Sequence, residues 1–313
     1  MSDEPIHQPH DKLFKQGFGD PVNAAGFLRH QFPESVAREI DWEGLALQPG
    51  SFVDSHFRKH ESDLLFSTRF KDRECLLYLL FEHQLAEDPL IALRLLRYMV
   101  RIWEGCVKIN PGAALPVILP VVLAQNDKAW TVSPRFSSLL DLPSGLAGGL
   151  LPYVPDFCFQ LVQLAEVTYE RIVGTPEGVL LLRIMKAERT DELLADAVWD
   201  ETLLARISRP FFEMLLRYLL DADIDSEGFE RRLNVISQVE LKDSAMTLAQ
   251  QIRQKGRQEG RQEDILEALS IRFGVVPTGL ADAVRGIEGE LRLRELLRAA
   301  IQSVTLDEFS REL

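Results

Sequence analysis

The sequence predicts an α/β protein with a mixed sheet, followed by an all-helical C-terminal region. Three observations carry that expectation. Short apolar or alternating runs between residues 45 and 123 have the length and turn boundaries of strands. A helical period separates the last two of these runs, as a crossover connection requires. Beyond Pro155 the apolar residues recur at helical spacing.

Taken in order, Leu13, Phe14, Phe18, Val22, Phe27, Leu28 and Phe32 suggest two short helices broken around Gly17, Gly19 and Pro21. Leu45 to Val53, Asp63 to Phe70 and Cys75 to Phe81 read as strands, the last two as a hairpin across Lys71-Asp72-Arg73-Glu74. Leu76-Leu77-Tyr78-Leu79-Leu80-Phe81 is apolar on both faces, the mark of a central strand. A helix follows from Pro89, placed in its first turn, to Val107, with Leu90, Leu93, Leu96, Arg97, Val100, Trp103 and Val107 as its face. Pro116 to Leu123 returns as a strand. Phe157–Val173, Pro176–Arg189, Asp191–Ile207 and Pro210–Leu220 are expected as amphipathic helices, with no strand among them.

The Gly-Arg-Gln-Glu repeat within 253–263 has no apolar side chain and reads as a solvated linker or a polar helix with two weak points. A last helical module spans Asp264–Phe273 and Leu280–Leu313, split by Gly274 and Pro277. The expected division is an α/β domain over 1–175, a helical extension over 176–250, a polar linker over 251–263 and a helical module over 264–313. Leu291, Leu293, Leu296, Leu297 and Ile301 form a stripe there, as do Ile265, Leu266, Leu269 and Phe273, and so small a module is expected to need a partner, either the preceding helices or a second copy in a homo-oligomer.

The 313 residues carry 35 basic and 48 acidic groups, a formal charge of −13 that argues against indiscriminate binding to nucleic acid or anionic membrane. Three dispersed cysteines, without a Cys-x-x-Cys pair, point to a reducing compartment. With no signal-like start and no apolar run of membrane length, a cytoplasmic protein is expected.

Glu82-His83-Gln84 closes the central apolar strand, so that Glu82 and Gln84 share one face. Hairpin pairing can bring Asp63 near Glu82, and two converging carboxylates suit Mg²⁺ or Mn²⁺; the plainer reading pairs Glu82 with Arg94 or Arg97. His56 and His60 have helical metal spacing without a third ligand. Asp221, Asp223 and Asp225 begin like a calcium loop, but Ser226 and Arg232 break it. Arg253, Lys255, Arg257 and Arg261 are diluted by Glu259 and Glu263, which favours a solvated face.

Six ordered blocks then carry a resemblance: His10-Asp11-Lys12-Leu13-Phe14-Lys15, Ser51-Phe52-Val53, Ser62-Asp63-Leu64-Leu65-Phe66, Tyr78 to Gln84, Arg94 to Met99, and Leu115 to Leu123. From about His10 to Pro143 the chain resembles the Rpn family of recombination-promoting nucleases, transposase-like proteins of the PD-(D/E)XK nuclease superfamily. The resemblance implies a PD-(D/E)XK nuclease-like core and metal-dependent DNA endonuclease activity. It implies Asp63 and Glu82 as ligands of Mg²⁺ (or Mn²⁺ or Ca²⁺), Gln84 in the superfamily's lysine position and Asp11 as an additional helical acid. The chain departs from the family at Leu85, where Ser is common, and at Ala124-Gln125-Asn126, where a Tyr-x-Gly stretch is common, while Trp130 is kept. The alternative is a catalytically silent DNA-binding or regulatory protein that oligomerises on the same fold.

Overall fold

The computed structural model describes residues 9–49, 63–71, 73–82, 87–125, 127–143, 145, 147–222 and 224–313. It divides into two compact units, 1–241 and 242–313. The first opens with α1 (Pro9–Phe18), α2 (Pro21–Leu28) and α3 (Glu34–Ala37), then β1 (Ala46–Leu47), β2 (Leu64–Phe70), β3 (Arg73–Glu82), α4 (Ile91–Ile109) and β4 (Val117–Ala124). It continues with α5 (Ala147–Leu150), β5 (Gln160–Gln163), α6 (Pro176–Thr190), α7 (Glu201–Leu204), α8 (Arg209–Asp221) and α9 (Ser226–Val235). A 35-residue helix, α10 (Val239–Phe273), leads into α11 (Thr278–Arg285), α12 (Glu290–Gln302) and α13 (Leu306–Ser310).

The five strands lie in the order β1-β2-β3-β4-β5, with β3 central. β2 and β3 are antiparallel, joined across residues 71 and 72, and Lys71 takes the left-handed φ of 56° that a two-residue hairpin demands. β3 pairs parallel with β4, and β4 with β5. A parallel partner cannot be reached by a hairpin, so the chain crosses over through α4. Leu76, Leu77 and Tyr78 are all buried, as a strand covered on both faces requires. Pro120 lacks a backbone donor and sits in β4 just before β5 begins to pair at Val121, where only β3 lies alongside.

One face of the sheet packs against α4: Leu65, Leu76, Tyr78, Ile118, Val122 and Ala124 form a cluster with Ile91, Leu95, Tyr98, Met99 and Ile102. Of the face expected for α4, Leu96 and Trp103 pack at the margin of this cluster, and the rest is turned away from it. Leu90, Leu93, Val100 and Val107 are exposed, because this helix is apolar around most of its girth and a 3.6 period fits either side. Pro89 also falls outside the helix; Asp88 accepts from the Leu90 N–H at 2.9 Å and pairs with Arg94 at 3.2 Å, starting α4 two residues later.

Between Pro155 and Ile207 one expected helix, Phe157–Val173, is absent and another, Asp191–Ile207, is cut to four residues. Phe157, Phe159 and Leu161 alternate into the α4-facing cluster at period two, and β5 forms there as a sheet edge. Asp191 ends α6 in the left-handed region at φ 57°, and only α7 forms beyond it, capped by Asp200 through the N–H groups of Thr202 and Leu203. Asp225 caps α9 through Gly228 N at 2.7 Å, which accounts for that acid without calcium. β1 is only two residues long against the expected Leu45–Val53; residues 50–62 lie outside the described chain.

In the second unit, Ile265, Leu266 and Leu269 bury against Val284, Leu293, Leu296, Ala300 and Phe309, so the two expected stripes meet each other, while Leu291 and Ile301 stay exposed. Residues 251–263 are helical throughout, within α10. Gly256 and Gly260 stand in that helix with nothing within 4 Å of the place a Cβ would take. Each should cost the helix ~1 kcal/mol relative to alanine. Gly256→Ala and Gly260→Ala are expected to raise the thermal transition singly and together, by calorimetry; a drop in either would show that the glycine is needed for its backbone.

Candidate functional site

Because β3, β4 and β5 run parallel and β2 runs against them, one end of the sheet gathers the start of β2 and the ends of the other three. Asp63 precedes β2 there, Glu82 ends β3, Gln125 follows β4 and Gln163 ends β5. The carboxyl ends of parallel strands are the usual place for a ligand in an α/β sheet.

Asp63 is half-buried, and its Oδ2 accepts a hydrogen bond from the Tyr78 hydroxyl at 2.6 Å. The register pairs Leu65 with Tyr78, so the phenol reaches diagonally across the hairpin to a residue two positions earlier on β2. Burial pushes the Tyr78 phenol well above its ordinary range, and the charge of Asp63 and the hydrogen bond to it push the same way; Arg94 opposes them. The phenol therefore keeps its proton and donates it in the hydrogen bond to Asp63. Tyr98 of α4 packs on Tyr78 with ring centres 5.5 Å apart and holds the phenol from behind.

The backbone of Glu82 pairs with Ala124. The β2–β3 register, carried one step past Leu64↔Leu79, sets position 63 opposite position 80, so position 82 is the diagonal neighbour on the other side from Tyr78. Gln84, like His56 and His60, lies outside the described residues, as does the Glu82 side chain. Among the described residues no group of three or more His, Cys, Asp or Glu comes together as a metal site.

Asp11 is buried at 3% exposure in α1, which packs on α6 and α8. Its neighbour His10 meets the Tyr218 hydroxyl through Nδ1 at 2.6 Å and stands 4.0 Å from Glu188. Gln125, fully buried, donates to the Met185 carbonyl at 2.7 Å and to Glu188 at 3.3 Å. A chain of polar contacts thus joins the start of α1 and the last turns of α6 to the end of β4. Burial raises the Glu188 carboxyl, opposed by Arg189, and raises the Tyr218 phenol, which the charge of Glu188 lifts further. Asp11 belongs to this helical layer, whereas Tyr78, the partner of Asp63, belongs to the α4-facing core.

The sequence marks Gln125 only as a departure at the rim; its burial makes it a joint. An amide directly after a buried strand must find partners, and that signal was available. His10 and Tyr218 are 208 residues apart and gave none. Trp130 lies in the α4-facing cluster, its backbone N–H donating to the Gln163 side chain, and Thr131 Oγ1 donates to Glu87 at 3.2 Å. These contacts tie the segment after β4 to the end of β5 and to the approach to α4.

A mixed sheet flanked by helices, with acidic and amide side chains collected at one strand end, is a nuclease-like core. The chain belongs to the family described as "Putative transposase, YhgA-like", which matches residues 8–208. It is 26% identical to the recombination-promoting nuclease RpnD of Escherichia coli O157:H7 over 249 residues, covering 78% of this chain and 94% of the relative. Over 259 residues, 81% of this chain, it is 26% identical to the recombination-promoting nuclease RpnA of Escherichia coli K12 and 28% identical to the protein named inactive recombination-promoting nuclease-like protein RpnE of the same strain. These alignments cover 86% and 84% of those relatives. No solved structure matches the chain. No helix among the described residues is long and apolar enough to cross a membrane.

The raised phenol of Tyr78 sets a pH dependence. Its folded value lies above the ordinary 10.0, so the contribution is full below pH 10 and is lost as pH rises beyond it. Tyr78→Phe should flatten the alkaline limb of stability, followed as thermal midpoint between about pH 8 and 11. An alkaline limb parallel to that of the parent would mean that the phenol is solvated.

Proposed function

We propose that this protein is a divalent-metal-dependent DNA endonuclease of the PD-(D/E)XK type, acting in recombination or mobile-element biology. The observation that carries the reading is Asp63, fixed by Tyr78 at the start of β2 and diagonal in register to position 82 at the end of β3. Asp63 and Glu82 supply hard oxygen donors, which fit Mg²⁺, with Mn²⁺ or Ca²⁺ as substitutes. A carboxylate has about four acceptor sites, so the Tyr78 bond leaves Asp63 able to ligate while fixing its orientation. When bound, such a cation lowers the pKa of a water and neutralises charge on the scissile phosphate. Gln84 orients that water by hydrogen bonding and cannot bring the positive charge of a lysine. Asp11, the helical acid of the resemblance, is buried in α1 within the layer of α6 and α8 and is not counted among the ligands.

A second reading is favoured by one observation: a relative at 28% identity is named inactive. In that case the fold serves binding or regulation. A homo-oligomer joined through α12 is part of either reading, with exposed Leu291 and Ile301 as its apolar contacts. Light scattering of the full chain should then give a multiple of the protomer mass that Leu291→Glu with Ile301→Glu lowers to one; a monomer from the start ends this part of the proposal.

Incubating the protein with supercoiled plasmid and Mg²⁺ or Mn²⁺ tests the activity. Asp63→Ala and Glu82→Ala should each lower cleavage on the order of a hundredfold or more, because each removes a ligand, while the chain stays folded. Gln84→Ala should slow cleavage with metal binding retained by calorimetry. Cleavage unchanged in both carboxylate variants would refute the site, and no cleavage by the parent would favour the silent reading.

A further inference from the structure

A groove rich in arginine lies in the C-terminal unit, outside the stretch 8–208 matched by the family. α10 and the start of α12 enclose a groove of about 430 Å³ lined by Arg253, Arg257 and Arg261 together with Gln254 and Gln258. The sequence mixes these arginines with acids, and the helix separates them. At 100° per residue, positions 253, 257 and 261 share one face, while Glu259 falls on the far side, where it pairs with Lys255 at 3.4 Å. Glu263 is drawn off by Arg285 at 3.8 Å.

An acid of the protein itself stands at one end of the groove. Glu290, the first residue of α12, takes Arg261 Nη2 on its carboxylate at 2.8 Å and Arg261 Nη1 on its carbonyl at 3.3 Å, with Arg294 3.6 Å away. Gln258 of the lining donates to the Ile287 carbonyl at 3.4 Å, and its buried neighbour on α10, Gln262, donates to the carbonyls of Arg285 and Ile287 at 3.0 and 2.9 Å, which holds the segment before α12 to the helix. The helix beside the arginines is bare at Gly256 and Gly260, where a side chain would meet open space.

We propose that this groove binds the sugar–phosphate backbone of a nucleic-acid strand; the choice of nucleic acid over other polyanions rests on the nuclease reading above. Three guanidinium groups four residues apart form a row with steps of about 6 Å along the helix axis. A row neutralises successive phosphates, whereas a single small anion is held by donors converging on one point. Arginine forks match phosphate oxygens, and the Gln254 amide, between Arg253 and Arg257, donates to the same oxygens or to sugar hydroxyls. The bare strip lets the strand lie close to the helix. The site would hold substrate while the sheet end cuts it, and it lets a protein of charge −13 bind DNA through a local surface.

The test uses the full chain in EDTA, with fluorescence anisotropy of labelled single- and double-stranded oligonucleotides over a salt series. Arg253→Gln with Arg257→Gln should weaken binding about tenfold or more and reduce the slope of log K against log salt by about 0.9 for each duplex phosphate that is no longer neutralised. Lys255→Gln, on the far face, should bind as the parent does, and Glu290→Gln, which removes the resident anion, should bind more tightly. Thermal midpoints confirm that the variants are folded. An unchanged affinity and slope in the double variant, an equal loss in Lys255→Gln, or no binding by the parent would overturn the proposal. So would calorimetric binding of inorganic pyrophosphate that needs Arg253 and Arg257 while oligonucleotide binding does not. Without metal no cutting occurs, so failure of this groove shows in anisotropy and failure of the Asp63–Glu82 site shows in plasmid cleavage.

Discussion

The parallel pairing of β3 with β4 is the constraint from which the rest of the first unit follows. The strand Leu76-Leu77-Tyr78 cannot face water on either side, so both faces of the sheet must be covered and the chain must return to the same end before β4 starts. α4 meets both demands in one element, spanning the sheet as crossover and burying Ile91, Leu95, Tyr98, Met99 and Ile102 on it. With β3, β4 and β5 all running one way and β2 the other, the polar residues that flank the apolar runs collect at a single rim. Positions 63, 82, 125 and 163 reach that rim from sequence-distant pieces because the hydrophobic pattern leaves the strands no other direction.

How much of this could be read from the residues depended on how local the cause was. The hairpin of β2 and β3 was legible because alternation and a polar turn fix it within twenty residues, and the central place of β3 was legible because its run is apolar on both faces. The packed face of α4 was legible only at Leu96 and Trp103, since Leu93, Val100 and Val107 compete with Leu95, Tyr98 and Ile102, and only the shape of the sheet chooses between them. β5 was missed for the same reason in reverse. Its four residues have little signal of their own and become a strand by lying beside Val121–Ala124.

The site divides along the same line. Asp63 and Glu82 stood out as acids at the limits of apolar runs, yet Tyr78 was counted only as core. Its hydroxyl has a second task, and the cost of burying an unpaired phenol explains why it meets a carboxylate. The arginines of α10 show the opposite case, where composition suggested dilution and the helix sorted the charges by face. The network of His10, Gln125, Glu188 and Tyr218 has no sequence signature, because four elements must fold before its members meet.

The sheet's two borders are also informative. β1 contributes two residues and β5 four, while the strands between them run for seven to ten. A long bare border invites another chain to add itself by main-chain hydrogen bonding, and a proline on the border is one of the devices that blunts it. Val117–Pro120 runs ahead of β5 with β3 alone alongside, and Pro120 has no N–H to offer, so a strand approaching this stretch of β4 meets a broken ladder where pairing would have to join the sheet.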